Sequence, residues 1–298
     1  MKHLYEYASK EQQDDYLDAV LEPLFADGLD KRSDDSIFDT HVAFPNGSRV
    51  KVPYLNGGLF ERDNLDEIPT RFPAEFFGDL LEFLYQYNFT IDENDPNDAE
   101  VGVDPEMLGR IFENLLEDNK DKGAYYTPKE IVRYMCRESL VSYLTTHSIN
   151  AGNKHARTDV EKAIRDLLTT PETVVPKMQV HHKDTLEEFG NALREVRICD
   201  PAIGSGAFPM GLLNELVHAR VSIGAWAKRA DGTQMTDDYA ALKREIVCDN
   251  IYGVDIERGA IDIARLRFWL SIIVDEHEPR PLPNLDYKFM QGNSLITT

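Results

Sequence analysis

The sequence predicts an α/β fold in which a partial parallel sheet follows a mainly helical N-terminal region. Three segments carry that expectation. The apolar-rich stretch Val196-Arg197-Ile198-Cys199 runs into Asp200-Pro201-Ala202-Ile203-Gly204-Ser205-Gly206-Ala207-Phe208. Asn250-Ile251-Tyr252-Gly253-Val254-Asp255-Ile256 is a short apolar strand ending in an acid, and a long helix follows it. Tyr287-Lys288-Phe289-Met290-Gln291 is a third strand, running into Gly292-Asn293-Ser294-Leu295. Strands that alternate with helices imply parallel pairing.

In chain order, the division is 1–103, 104–195 and 196–298. The first region is mainly helical, with a polar connection at 30–36 and a turn-rich segment at 53–60. There, Asn56-Gly57-Gly58 favours positive φ between residues that can pack, a structural turn. Residues 92–102 are acidic and read as a loop. A helix opens with Asp104 as N-cap and Pro105 at its first position. Met107, Leu108, Ile111, Phe112, Leu115 and Leu116 form its apolar, core-packing stripe.

Lys122-Gly123-Ala124-Tyr125-Tyr126-Thr127-Pro128-Lys129-Glu130 then delivers a loop to a second helix. Thr127 and Glu130 match a capping box, with Pro128 at the first helical position. Ile131, Val132, Met135 and Cys136 are expected on one side. Helix N-termini attract anions, though on spacing alone an ordinary capped helix is the plainer account. Residues 145–188 read as inserted helices and loops, broken at Thr169-Thr170-Pro171 and at Val175-Pro176. The glycine turn leads into a helix carrying Met210, Leu212, Leu213, Leu216 and Val217. Residues 230–238 form a loop, and the helix holding Ile261, Ala264, Phe268, Trp269 and Ile272 is apolar on most sides, hence buried.

Composition narrows the function. The 298 residues are 42% hydrophobic and 29% charged, as in globular domains. No apolar run approaches a membrane span, and the N-terminus lacks the apolar core of a signal peptide. Cys136, Cys199 and Cys248 are odd in number and widely spaced, which argues against a disulfide framework or a Cys-rich zinc site. His181-His182 reads as a surface pair. The net charge of −21 is unlike the basic face with which proteins grip nucleic acid. Either nucleic acid is no partner, or the basic surface lies on something outside this chain.

The strand ends carry the chemistry. Asp200, Asp255 and Asn293 would line one sheet edge, where open α/β sheets bind ligands. A carboxylate there can accept two ribose hydroxyls, an amide can meet an adenine edge, and the acid with the glycine turn can hold a charged tail. That set suits a nucleoside with an amino-acid or phosphate appendage. A dinucleotide fits poorly, because Pro209 stands where the third glycine of its fingerprint belongs and Asp255 lies much too far along. The Asp-x-Lys triplets at Asp118-Asn119-Lys120 and Asp286-Tyr287-Lys288 are chance matches to a nuclease pattern, the second falling inside the expected sheet core.

The order Gly-Ala-Tyr-Tyr-Thr-Pro, Asp-Pro-Ala-Ile-Gly-Ser-Gly-Ala-Phe, Ile-Tyr-Gly-Val-Asp-Ile, Gly-Asn-Ser-Leu resembles the amino-methylating DNA methyltransferases. It looks most like the Eco57I-type methylases of fused restriction-modification enzymes, over roughly residues 50–298. The resemblance implies a Rossmann-like sheet, S-adenosylmethionine as cofactor, adenine N6 as methyl acceptor, double-stranded DNA as partner and a prokaryotic cytoplasmic location. It implies that Tyr126 and Thr127 lie near the methionine carboxylate. Asp200, Pro201, Ala202, Gly204 and Gly206 would hold the methionine end, with Phe208 packing beside the cofactor or in the core. Asp255, followed by Ile256, would bind the ribose hydroxyls, and Asn293 would touch the adenine. The family's catalytic Asn/Asp-Pro-Pro-Tyr/Phe is missing, since the chain contains no Pro-Pro. That loop would receive a base flipped out of the duplex. The sequence therefore reads as the cofactor half of a longer enzyme, inactive alone, meeting DNA through regions outside this chain. Cytosine N4, a protein glutamine, or a non-catalytic cofactor-binding scaffold remain open as alternatives.

Overall fold

A computed structural model describes residues 2–31, 37–39, 49–52, 54–55, 58, 72–73, 75–86, 127–181, 183–224, 238–276, 278 and 280–296. Tyr126, the helix expected from Asp104, the loop at 92–102, residues 230–237 of the loop at 230–238, the first Asp-x-Lys triplet and His182 lie outside these residues. The chain forms two units, one of Met1–Asp104 with Glu276–Asp286, the other of Pro105–Asp275 with Tyr287–Thr298.

The first unit begins with α1 (Lys2–Tyr7) and α2 (Lys10–Asp14), followed by π-helical turns Leu17–Leu21 and Leu24–Leu29. Ser9 caps α2 reciprocally: its Oγ accepts the Gln12 N–H, and the Gln12 side chain accepts the Ser9 N–H. A two-stranded antiparallel ribbon joins β1 (Ile37–Asp39) to β2 (Arg49–Lys51). Helix α3 (Phe76–Leu84) lays Phe77 and Leu81 against a small core of Ala8, Tyr16 and Val20. The Tyr16 ring meets those of Tyr5 and Phe77 at 5.0 and 5.5 Å.

The second unit opens with α4 (Lys129–Asn150), α5 (Arg157–Thr169), α6 (Pro171–His181) and α7 (Lys183–Glu195). The expected break at Thr169-Thr170-Pro171 separates α5 from α6. The break expected at Val175-Pro176 does not occur, and Pro176 stays inside α6. Proline there removes one donor, to the Glu172 carbonyl. Burial of Val175 at its side anchors the turn.

Helix α4 starts one residue later than expected. Pro128 has φ −56° and ψ 142°, so it stands at the N-cap and no side chain caps the helix. The buried stripe of α4 is Val132, Cys136, Leu140, Val141 and Leu144, while Ile131 and Met135 are exposed. The reason is α8 (Ala207–Ser222), which packs along α4. A Cβ on Gly211 of α8 would lie 2.6 Å from Val132 Cγ1 and 3.0 Å from Cys136 Sγ. The bare glycine lets the two helices close on those two side chains. Glu215 of α8, buried, accepts from Nε and Nη2 of Arg137 of α4 at 2.9 and 3.0 Å.

The sheet is parallel, in the order β3 (Ile198–Asp200), β4 (Ile251–Asp255), β5 (Phe289–Gln291). Helices α8 and α9 (Tyr239–Asp249) connect β3 to β4, and α10 (Arg258–Ile273) connects β4 to β5. Asn250, fully buried, ties the sheet to α7. Its Nδ2 donates to the carbonyls of Arg194 and Val196, both at 2.8 Å, and its backbone carbonyl accepts the Ile198 N–H at 2.8 Å.

Two strand expectations need correcting. The apolar-rich run Val196–Cys199 suits a buried strand, but Cys199 is exposed and Ile198 and Asp200 are half-buried. Among the described residues β3 has a neighbour on one side only, so it is an edge strand. The third strand begins at Phe289 rather than Tyr287: residues 286–288 form a turn in which Tyr287 is 82% exposed. Lys288 ends that turn by laying its ammonium 3.9 Å from the Tyr252 ring centroid. The second Asp-x-Lys triplet therefore lies in a turn, outside the sheet core. Among the described residues no helix is long and apolar enough to cross a membrane, and no group of His, Cys, Asp and Glu is arranged to hold a metal.

Candidate functional site

Parallel pairing brings the three strand ends to one edge. Asp200 is the last residue of β3 and pairs with Gly253; Asp255 is the last of β4 and pairs with Gln291. Asn293 follows β5 by two residues, exposed. The glycine turn closes this edge. Gly204 and Gly206 have φ of 54° and 88°, the left-handed backbone that side-chain-bearing residues rarely adopt. They differ in surroundings. A Cβ on Gly206 would press on Ala264 Cβ at 3.3 Å, whereas one on Gly204 would meet nothing within 4 Å. Gly206 thus faces the protein, and Gly204 leaves open space over the turn.

Hydrogen bonds lock the edge. Asp200 Oδ1 accepts the Ala202 N–H at 3.1 Å. Asp255 spans two segments: Oδ2 accepts the Gly204 N–H at 2.8 Å and Oδ1 the Glu257 N–H at 2.9 Å. The Ile203 N–H reaches the Val254 carbonyl at 3.0 Å. After β5, Ser294 Oγ donates to the Pro201 carbonyl at 2.9 Å, and Gln291 Nε2 to the Ile256 carbonyl at 3.1 Å. Pro201 and Ala202 are exposed at the edge, and Ile256 is 61% exposed, an apolar surface beside Asp255.

Phe208 lies in the first turn of α8, half-buried, and its carbonyl accepts the Cys136 thiol at 3.4 Å. Burial, then the carboxylates of Glu215 and Asp200, push the Cys136 thiol up to about 12, so it stays a thiol. Thr127 is half-buried just before α4. Sequence reasoning placed Asp200, Pro201, Ala202, Gly204, Gly206, Asp255, Ile256 and Asn293 at one edge, and the structure assembles them there. It did not find the tether from Asp255 to Gly204, nor the Ser294 bridge. A carboxylate one strand over from a glycine-rich turn was the available signal for the first.

Burial, above all, raises the Asp200 carboxyl above the ordinary carboxylate range; the Ala202 N–H opposes this and the Asp255 charge adds to it. A carboxyl raised on folding is unburdened below its ordinary value of about 3.9, and its cost grows as pH rises from there and is complete once pH exceeds its folded value. Asn at this position keeps an acceptor for Ala202 and never ionises. Thermal unfolding of Asp200→Asn is therefore expected to show a higher Tm than the parent at pH 7.5, the gap closing toward pH 4. An equal or lower Tm at pH 7.5 would refute the burden.

Known proteins resemble this chain in sequence and fold. Residues 177–279 match the family described as MmeI, DNA-methyltransferase domain, a span that holds the glycine turn, β4 and α10. A putative type II restriction enzyme and methyltransferase of Methanocaldococcus jannaschii is 31% identical over 294 residues, covering 94% of this chain and 24% of that protein. The Eco57I type II restriction enzyme and methyltransferase of Escherichia coli is 23% identical over 260 residues, covering 81% of this chain and 22% of that protein. The chain thus spans about a quarter of the length of these relatives. The structure of the type IIL restriction-modification enzyme MmeI in complex with DNA is similar in fold, with TM-score 0.55 and 18% identity over 98% of this chain and 35% of that one.

Proposed function

With residues 177–279 matching the MmeI DNA-methyltransferase domain and the chain resembling Eco57I-type restriction-modification methylases, we propose that it is the S-adenosylmethionine-binding portion of a site-specific adenine-N6 DNA methyltransferase. The sheet is then the first part of a Rossmann-like methyltransferase fold. The observation that supports this most is the edge itself: two carboxylates and an amide at three adjacent parallel strand ends, beside a left-handed glycine turn with open space at Gly204.

The donor chemistry fits such a cofactor. Asp255 has used one acceptor position on each oxygen, and a carboxylate offers about four, so two remain for the ribose diol. Asp200, half-buried, offers the negative charge an ammonium group needs. The Ala207 and Phe208 amides open α8 without intrahelical acceptors and face the charge of a carboxylate tail. Thr127 would approach that tail from the start of α4, the role that the family resemblance also gives Tyr126. Asn293 and Ile256, both exposed beside Asp255, would bracket the adenine by amide and apolar contact. When bound, the cofactor supplies an electrophilic methyl on a sulfonium; the residues described here bind and orient it. Double-stranded DNA is the proposed partner of the whole enzyme, and the base amino group its methyl acceptor.

Isothermal titration of the folded chain with S-adenosylmethionine and with S-adenosylhomocysteine is the test. Saturable one-to-one binding of both is expected. A folded chain that binds neither would end this reading.

A further inference from the structure

The glycine turn is held from beneath by an arginine. Helix α10 presents Ala264, Arg267 and Phe268 to it. Arg267 is 3% exposed, and its Nη1 donates to the Ser205 carbonyl at 2.8 Å. Ser205, buried, sits between the two left-handed glycines. Ala264 fills the space where a Gly206 Cβ would go, at 3.3 Å, and Phe268 Cε2 lies 3.7 Å from the same point. The turn is thus pinned at three points: Gly204 N–H to Asp255, Ile203 N–H to Val254, and Ser205 C=O to Arg267.

A guanidinium is a costly group to bury, and Arg267 is 3% exposed. Packing alone would be served by an apolar side chain of the same volume. What the arginine adds is a charge-assisted, directional hold on one carbonyl. The N–H of the same Ser205–Gly206 peptide is bonded to the Ile203 carbonyl at 2.9 Å, so the arginine, on the carbonyl side, completes the hold on that plane and with it on the direction of the amides that open α8.

We propose that Arg267 is a positioning residue for the methionine end of the cofactor: it sets the Ser205–Gly206 peptide so that the Ala207 and Phe208 amides point at the cofactor's carboxylate. This rests on the cofactor reading above. The adenosine end is assigned to Asp255 and Asn293 rather than to the Ala207 and Phe208 amides, so the two ends should respond differently to its loss.

Calorimetric titration of the chain with S-adenosylhomocysteine and with 5′-methylthioadenosine, which lacks the amino-acid tail, separates them. For Arg267→Met, affinity for S-adenosylhomocysteine is expected to fall about tenfold, the loss of one charge-assisted hydrogen bond. Affinity for 5′-methylthioadenosine should change by less than about twofold. Arg267→Lys, which keeps a charged donor, should recover part of the loss, and it serves alone if the Met variant does not fold. Amide hydrogen exchange at 204–208 without ligand should quicken in both. Equal losses for the two ligands, or no loss for either, would overturn the assignment. A parent chain that binds neither ligand would instead overturn the cofactor reading on which it stands.

Discussion

Asp255→Ala is expected to weaken S-adenosylhomocysteine binding by about a hundredfold or more, while the chain stays folded. The carboxylate does two jobs at once. It would accept the ribose diol, worth about 1.5–3 kcal/mol for each charge-assisted hydrogen bond. It also accepts the N–H groups of Gly204 and Glu257, at 2.8 and 2.9 Å, and so holds the glycine turn against the end of β4. Alanine removes both functions together. Asp255→Asn is expected to be nearly as damaging, because its NH2 must face one of those two N–H donors. An ordinary acid at a strand end would tolerate asparagine. Asp262, exposed on α10, is the matched control, and Asp262→Ala should leave binding unchanged. Titration calorimetry on the three variants decides this. Binding of Asp255→Ala within about twofold of the parent would show that the ribose is held elsewhere.

Gly253→Val is expected to destabilise the second unit by about 3 kcal/mol, lowering Tm by roughly 8 °C. Intrinsic strand preference predicts the opposite sign, since valine favours strands and glycine weakens them. Position decides. A Cβ at residue 253 would stand 2.3 Å from Ile203 Cδ1 and 3.0 Å from Ile203 Cβ and Cγ1. Ile203 cannot swing aside as a unit, because its N–H is bonded to the Val254 carbonyl at 3.0 Å and its side chain is buried. Gly253 therefore seats the segment that joins β3 to the glycine turn. Adding Ile203→Ala to Gly253→Val vacates the space and should return part of the lost stability, a coupling that a double-mutant cycle measures. A Gly253→Val chain as stable as the parent would show that the seat yields.

Both predictions concern contacts that strand-and-turn patterns cannot show. The sequence does mark where strands end and which of their last residues are polar, because apolar runs, acids and glycines occur in order along the chain. Asp200, Asp255 and Asn293 were legible on that basis, as were the left-handed glycines and the break between α5 and α6. The buried side of α4 was not. Ile131 and Met135 fit a helical stripe as well as Leu140 does, and only the close approach of Gly211 chooses Val132 and Cys136. Arg267 offered a faint signal, an arginine set between Leu266 and Phe268 in the most apolar stretch of α10, but its target lies 62 residues earlier in the chain. The start of β5 was misplaced because an aromatic and a lysine side chain suit a strand and a turn equally, and their neighbour Tyr252 is distant in sequence.

By itself, then, the sequence determined the α/β alternation, the polar strand ends and the turn that needs glycine, since each follows from local backbone preference and periodicity. Only the tertiary structure decided which helix faces touch, which carbonyl the buried arginine holds and that Asp255 tethers Gly204. Those are distances between segments far apart in the chain, set by mutual packing rather than by any one segment's preference.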